Sequence, residues 1–127
     1  MNGITLLETN IQGHICTNCN REIVAKWRGN VERSLGSLEL TFFNKQKISV
    51  ELKFWISEAR LRSQRNDLDN LVKPILDSMK KIGMITDDAE IFHLDVTKFP
   101  TMGEEEIKLV VKEWNCMVHK TANFTAF

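Results

Sequence analysis

The amino-acid sequence predicts an α+β fold in which two α-helices pack on one face of a small mixed β-sheet. Two segments place apolar residues three and four positions apart, as amphipathic helices do, and several short segments alternate apolar and polar residues, as half-buried strands do. Their order is strand, helix, two strands, helix, two strands. With 127 residues, of which 43% are hydrophobic, the chain is long enough for one core, so we expect a single domain over residues 1–127.

The first strand and the first helix occupy the N-terminal third of the chain. Apolar residues around Leu6 predict the strand, and residues 10–20 have the glycine and asparagine content of a loop. Apolar residues then recur at helical spacing after Arg21: Ile23, Val24, Trp27, Val31 and Leu35. Gly36 follows where a glycine commonly ends a helix, so we predict the first helix from Arg21 to this point.

The middle of the chain predicts two strands and the second helix. Residues 38–42 and 48–54 alternate apolar and polar side chains and are expected to pair as a hairpin. The second helix carries an apolar stripe made of Leu71, Ile75, Met79 and Ile82. We expect Pro74 in or close to the first turn of this helix, because a proline further in breaks the hydrogen-bond ladder. Gly83 is expected to end it.

The C-terminal third predicts two more strands. Asp87 and Asp88 lie in a turn, and residues 91–99 alternate as a half-buried strand does. A turn over residues 100–105 leads to a last strand around Ile107, Leu109 and Val111. Residues 115–127 are expected as a tail of uncertain order.

Charge and cysteine content place limits on the class of protein. The 17 basic and 17 acidic residues cancel, which excludes a strongly basic nucleic-acid-binding chain. Residues 1–66 nevertheless hold ten Lys and Arg against six Asp and Glu, and residues 67–127 hold seven against eleven. An odd set of three cysteines, with no leader-like or membrane-spanning segment, predicts a soluble cytoplasmic protein without a membrane partner. Cys16 and Cys19 form half of a zinc-site pattern without a second pair, so we do not predict zinc.

Several carboxylates and one lysine gather around the start of the second helix. Asp67 and Asp69 lie two positions apart and point the same way along an extended chain, and Lys73 follows one helical turn after Asp69. Asp88 reaches them only if the strand after it runs back beside the strand before Asp67. Oxygen ligands of this kind suit Mg²⁺ or Mn²⁺, and an ammonium offsets charge on a phosphate, so the pattern is typical of phosphodiester hydrolysis.

The same residues also have an ordinary structural interpretation. Asp67 and Asp69 are residue types that cap helices, and Asp87 and Asp88 are common in turns. Asp69, Lys73 and Asp77 share one helical face, where they fit a solvated stripe of ion pairs. Composition and spacing do not decide between the two interpretations.

The segment DLDNLVKPILDSMKKIGMITDDAEI, from Asp67 to Ile91, resembles the signature of the RusA-type endodeoxyribonucleases. It joins an Asp-x-Asp-Asn-Leu run, a lysine four positions after the second Asp, a glycine and an Asp-Asp pair at the spacing of that family. The preceding Arg60, Arg62 and Arg65 match the basic approach to the first Asp of the family. The resemblance is clear over about a fifth of the chain.

The resemblance implies a RusA-like fold, a function and a set of site residues. It implies a homodimeric, Mg²⁺-dependent endonuclease, with Mn²⁺ as an alternative ion, that resolves Holliday junctions by paired symmetric phosphodiester hydrolysis in DNA recombination and repair. The implied metal ligands and catalytic carboxylates are Asp67, Asp69 and Asp88, and Lys73 is the catalytic lysine. Asp87 is a secondary candidate. Contacts to branched DNA are implied for Arg60, Arg62 and Arg65.

Two departures from the family pattern bear on substrate handling. The family often opens with a proline-containing loop, which the segment from Glu8 to Gly13 lacks, and the net charge here is zero. A non-catalytic module that binds structured DNA or RNA through the arginines is therefore a second hypothesis. A third is a structural domain whose tail, with Phe124 and Phe127, docks on another protein.

Overall fold

The computed structural model describes residues 2–15, 21–36, 47–63 and 66–114. These residues form four strands, two long helices and two short helical segments. In chain order they are β1 (Asn2–Gln12), α1 (Arg21–Gly36), β2 (Ile48–Ser57), α2 (Glu58–Leu61), α3 (Leu68–Lys81), a 3₁₀ turn (Asp88–Glu90), β3 (Ile91–Thr101) and β4 (Glu106–Trp114). The strands make one sheet in the order β1-β4-β2-β3, which confirms the predicted small mixed sheet.

β2 is a central strand with partners on both edges. It pairs in parallel with β3 and antiparallel with β4, and β1 pairs antiparallel with β4. β1, β2 and β3 therefore run in one direction and β4 runs in the other. The hairpin predicted for residues 38–42 and 48–54 falls partly outside the described residues, and both edges of β2 are occupied by β3 and β4.

One hydrophobic core joins both long helices to the sheet. The helices contribute the residues that their periodicity placed on the apolar faces: Trp27, Val31, Leu35, Leu71, Ile75 and Met79. Burial of side chains of this size stabilises the fold by about 1.5–3 kcal/mol each, before conformational entropy is subtracted. Partly or fully exposed charged residues, including Glu51, Lys53 and Lys108, lie on the other face of the sheet, so both helices cover one face, as predicted.

The start of α3 differs from the prediction. Asp67 is the N-cap, and its Oδ1 accepts a hydrogen bond of 3.0 Å from the backbone N–H of Asn70. This cap begins the helix at Leu68, so Pro74 lies in the second turn rather than in or near the first, and the predicted position was wrong. Pro74 cannot donate to the Asn70 carbonyl, but its ring is buried with the apolar stripe, and that burial keeps the helix continuous.

The end of α3 confirms the role predicted for Gly83. This glycine has a φ of 84°, in the left-handed region that side chains with a Cβ rarely adopt. The N–H of Met84 donates to the Met79 carbonyl at 2.9 Å, and the N–H of Gly83 donates to the Lys80 carbonyl at 3.1 Å. These are the two bonds of a Schellman cap, which turns the chain toward Asp88.

β1 is longer than the sequence predicted. It continues to Gln12 because Ile11 is buried and pairs with Ile107, so the predicted loop starts three residues too early. Residues 16–20, with Cys16 and Cys19, and the tail 115–127 lie outside the described residues. Among the helices that the structure describes, none is long and apolar enough to cross a membrane.

Candidate active site

The sheet topology decides where the predicted site residues lie. α3 leaves the C-terminal end of β2 and crosses back over the sheet, because β3 runs parallel to β2. Asp67 therefore lies at the C-terminal end of β2, and Asp88 lies just before β3, at the opposite end of the sheet. The strand after Asp88 does lie beside the strand before Asp67, as required, but its direction separates the two carboxylates.

An open groove runs along the exposed side of α3. Asp69 and Lys73 line one part of it and Lys80 and Asp88 another, with Asp77, Val72 and Leu76 between them, and its volume is about 400 Å³. Three of the four residues predicted as catalytic thus line the groove, at different points along its length. Asp67 is the exception, since its side chain caps the helix and does not line this groove.

Salt bridges connect the side chains at the end of the groove that lies beside the last turn of α3. The Nζ of Lys80 lies 3.4 Å from Oδ2 of Asp88 and 3.8 Å from Oδ1 of Asp77. Asp77 also meets Arg28 of α1, with 3.5 Å between Oδ2 and Nη1. At 1.5 Å of rise per residue, the Cα atoms of Asp69 and Lys80 are about 16 Å apart. Asp88 is therefore paired with the last turn of α3, whereas Asp69 belongs to the first.

The predicted metal ligands do not form a metal site within one chain. Carboxylate oxygens are the donors that Mg²⁺ prefers, so the chemistry of Asp67, Asp69 and Asp88 fits the ion. Their arrangement does not, because no group of three His, Cys, Asp or Glu side chains in the described ranges is close enough to hold a metal. Asp67, Asp69 and Asp88 are all exposed and described, so the separation is a property of the fold.

Asp87, the secondary candidate, belongs to the turn before β3. It precedes the 3₁₀ turn, and Oε1 of Glu90 accepts hydrogen bonds from the N–H groups of Thr86 at 2.8 Å and of Asp87 at 3.3 Å. Asp87 does not line the groove along α3. Its position favours a structural role in orienting Asp88.

Arg60 is engaged inside the protein rather than presented to solvent. Its guanidinium forms a salt bridge with Glu105, which is 8% exposed, and donates to the carbonyl of Ile15. Glu105 also accepts from the N–H of Ile15 at 3.1 Å and from the N–H of Ser57 at 2.9 Å. The structure therefore does not favour the DNA contact predicted for Arg60, whose donors join α2 to the segment after β1 and to the residue before β4.

The other two predicted DNA-contact residues have different positions in the chain. Arg62 is exposed at the end of α2, just before the segment that leads to Asp67. Arg65 lies outside the described residues. Arg62 therefore stays a candidate for contact with DNA next to the start of α3.

Comparison with known proteins identifies the family. The family model for endodeoxyribonuclease RusA matches residues 10–112 of the chain. The chain belongs to the RusA endodeoxyribonuclease family. It is 29% identical over 73 residues to the crossover junction endodeoxyribonuclease rusA of Enterobacteria phage HK97. The alignment covers 58% of this chain and 58% of that relative, so the chain spans less than two thirds of the relative's length.

Lys98 fixes the segment that leads into the candidate site of this RusA family member. Its Nζ donates to the carbonyl of Leu61 at 2.8 Å and to the carbonyl of Asn66, directly before Asp67, at 3.0 Å. Asn66 is 4% exposed, and its amide donates to the Arg60 carbonyl at 2.9 Å. Lys98 thus anchors the chain at the point where the RusA signature begins.

Lys98 was not among the predicted site residues, although its position in β3 indicates that its ammonium group needs a partner. Lys98 shares its strand face with Leu94 and Val96, the face that pairs with buried positions of β2. A lysine on the core-facing side of a strand must find acceptors for its ammonium group, because an unpaired buried charge is costly. Its acceptors are backbone carbonyls more than thirty residues away, which periodicity does not identify.

Under the nuclease function proposed below, replacing Lys98 with Met is expected to lower kcat for DNA cleavage by about 10- to 100-fold, because small displacements of reacting groups have effects of that size. KM should change little, since Lys98 does not face the groove. Lys98→Arg should recover part of kcat by donating to the same carbonyls. The matched control is Lys53→Met on the open face of the sheet. A Lys98→Met variant with lower thermal stability but unchanged kcat would show that the residue serves the fold alone.

Proposed function

We propose that the protein is a metal-dependent endonuclease that resolves four-way DNA junctions by paired phosphodiester hydrolysis, in recombination and repair. The observation that supports this most strongly is the groove along α3 in a chain of the RusA family, which is lined by Asp69 and Lys73 toward one end and by Asp88 toward the other. The named activity of the phage HK97 relative supports the choice of substrate. The cytoplasm, where the chain would meet DNA, is the proposed site of action.

Lys73 is proposed as the residue that acts on the phosphate. It is exposed, lies one turn after Asp69 and forms no salt bridge with a carboxylate of the described residues. Its ammonium is therefore available to donate to a phosphate oxygen and to offset the charge that develops on the leaving oxygen. A bound Mg²⁺, with Mn²⁺ as an alternative, would polarise the phosphate and activate water.

We also propose that the working unit is a homodimer whose metal sites take carboxylates from both chains. Asp69 and Asp88 lie toward opposite ends of one α3 groove, so a copy related by a two-fold axis can bring its Asp88 to the Asp69 of the first. Exposed apolar side chains on α3 and β3 support an interface here: Leu68 at 41%, Phe92 at 52% and Leu94 at 43%.

Mixing two inactive variants tests the homodimer proposal. Asp69→Asn and Asp88→Asn proteins should each fail to cut, whereas an unfolded and refolded mixture should recover about a quarter of the wild-type nicking sites. Recovery occurs because each mixed dimer has one site with both carboxylates intact. If Asp69 and Asp88 act within the same chain, every site in the mixture lacks one carboxylate and no nicking returns.

A comparison of substrates tests the function itself. The purified protein is incubated with a labelled four-way junction or with a linear duplex of the same sequence, with Mg²⁺, with Mn²⁺ or with EDTA. We expect cutting of the junction in the presence of either ion and none in EDTA. Tight binding of the junction without cutting, over several junction sequences, would instead favour a non-catalytic DNA-binding module. Such a module is compatible with the lack of a metal-binding cluster within one chain among the described residues.

A further inference from the structure

A cavity on the outer flank of α1 has the chemistry of an anion-binding surface. Its volume is about 280 Å³, and its lining consists of His14, Ile23, Lys26, Trp27, Asn30 and Arg33. Ile23 and the buried Trp27 give it an apolar wall, and the other lining residues are basic or amide side chains. Among the residues that the structure describes, no carboxylate lines it.

One basic side chain of the lining lies near an acid, since Nδ1 of His14 is 4.0 Å from Oε1 of Glu105, which also pairs with Arg60. Within the described part of the chain, no salt bridge joins Lys26 or Arg33 to a carboxylate, although both are exposed. Many other cationic side chains of the described residues are paired: Arg28, Arg60, Lys80, Lys81, Lys108 and Lys112. This flank therefore carries two exposed cationic side chains without a carboxylate partner, in a chain that has no net charge.

The cavity connects to the candidate active site across one end of the molecule. α1 and α3 run parallel, since Arg28 meets Asp77 and Glu32 meets Lys81 one turn further along both helices. Both helices therefore begin at the same end, where β1 and β2 finish. His14 lies there, with its Nδ1 3.5 Å from Nη1 of Arg60 in α2. His14 thus links the cavity, which it lines, to α2, and the exposed Arg62 at the end of α2 precedes the segment that leads to α3.

We propose that this cavity binds the phosphodiester backbone of the DNA substrate at a distance from the cleavage site. Lys26 and Arg33 donate to phosphate oxygens, which are the acceptors that such side chains commonly bind in DNA complexes. The amide of Asn30, which also lines the cavity, donates to the Gln12 carbonyl at 2.8 Å and ties α1 to the end of β1. A DNA strand that passes the start of α3 continues over α2 and His14 to reach the cavity. The proposal rests on the proposed function and adds to it the surface that grips an arm of the substrate.

Salt-dependent binding of the double variant Lys26→Ala/Arg33→Ala tests the proposal. Affinity for a labelled four-way junction is measured in EDTA over a range of KCl concentrations, so that no cutting occurs. Each lost phosphate contact lowers the slope of log K against log salt by about 0.9, so the double variant should lose about 1.8 in slope and roughly 10-fold in affinity.

A control variant separates this surface from a general effect of charge. Lys108→Ala/Lys112→Ala removes the same charge from the open face of the sheet, where both lysines pair with glutamates. Its slope should remain close to that of the wild-type protein. The proposal is overturned if Lys26→Ala/Arg33→Ala keeps the wild-type slope, or if both variants lose slope equally. Failure of the proposed function appears separately, as a wild-type protein that does not cut the junction with Mg²⁺.

Discussion

Asp69→Asn is expected to lower the rate of junction cutting by at least about 100-fold, because it removes a carboxylate that binds the ion in the proposed mechanism. Asp69 is a better test than Asp67, whose side chain caps α3 and whose loss would also destabilise the helix by about 1 kcal/mol. Asp69 is exposed in the first turn and Asn has the same shape, so folding and junction affinity should be retained. Single-turnover cutting and equilibrium binding in EDTA measure the two properties separately.

Asp95→Asn is the matched control for that substitution. Asp95 is an exposed carboxylate on β3, in register with Glu51 on the open face of the sheet and away from the groove. Its cutting rate should be within about twofold of the wild-type rate, as for most surface substitutions. An Asp69→Asn protein that cuts at the wild-type rate would remove Asp69 from the active site.

Glu105→Gln is expected to reduce the free energy of unfolding by about 3 kcal/mol, the cost of breaking a buried ion pair. The substitution leaves Arg60 without its carboxylate and weakens the acceptor for the N–H groups of Ile15 and Ser57. The melting temperature should fall by about 10 °C for a chain of this size. Glu104→Gln, at the exposed neighbouring position, should change it little.

The same network predicts a loss of stability in acid. Burial raises the pKa of Glu105, but hydrogen bonds from Ser57 and Arg60, the charge of Arg60 and the Ile15 N–H outweigh it, so the pKa lies below 4.5. A carboxyl with a lowered pKa stabilises the fold above its unfolded pKa, and this contribution disappears as the pH falls through the folded pKa. Wild-type stability should therefore fall more steeply than that of Glu105→Gln below about pH 4.5. Parallel curves for the two proteins would contradict this role.

Local patterns in the sequence predicted most of the secondary structure. The spacing of apolar residues in α1 and α3 predicted both helices. Gly83 predicted the end of α3, where the chain needs the left-handed backbone conformation that glycine adopts readily. The predicted position of Pro74 was wrong because burial of its ring with the apolar stripe offsets the helical hydrogen bond that proline cannot donate. The signal that begins α3 was present in Asp67, which is a common N-cap residue.

The candidate site was predicted only in part, because its geometry depends on contacts between distant segments. Asp69 and Lys73 are one helical turn apart, so their shared position on the groove followed from spacing. The position of Asp88 depends on β3 running parallel to β2, which no local pattern specifies. Arg60 was predicted to contact DNA because no local pattern indicates its salt bridge with Glu105, which is 45 positions away.

The most direct test of the account maps every nick that the wild-type protein makes in a four-way junction with Mg²⁺, with each of the four strands labelled in turn. Resolution by a two-fold symmetric endonuclease predicts nicks at equivalent positions in two opposing strands, with the linear duplex left intact. Nicks at unrelated positions, equal cutting of the duplex, or firm binding with no cut in any strand would contradict it.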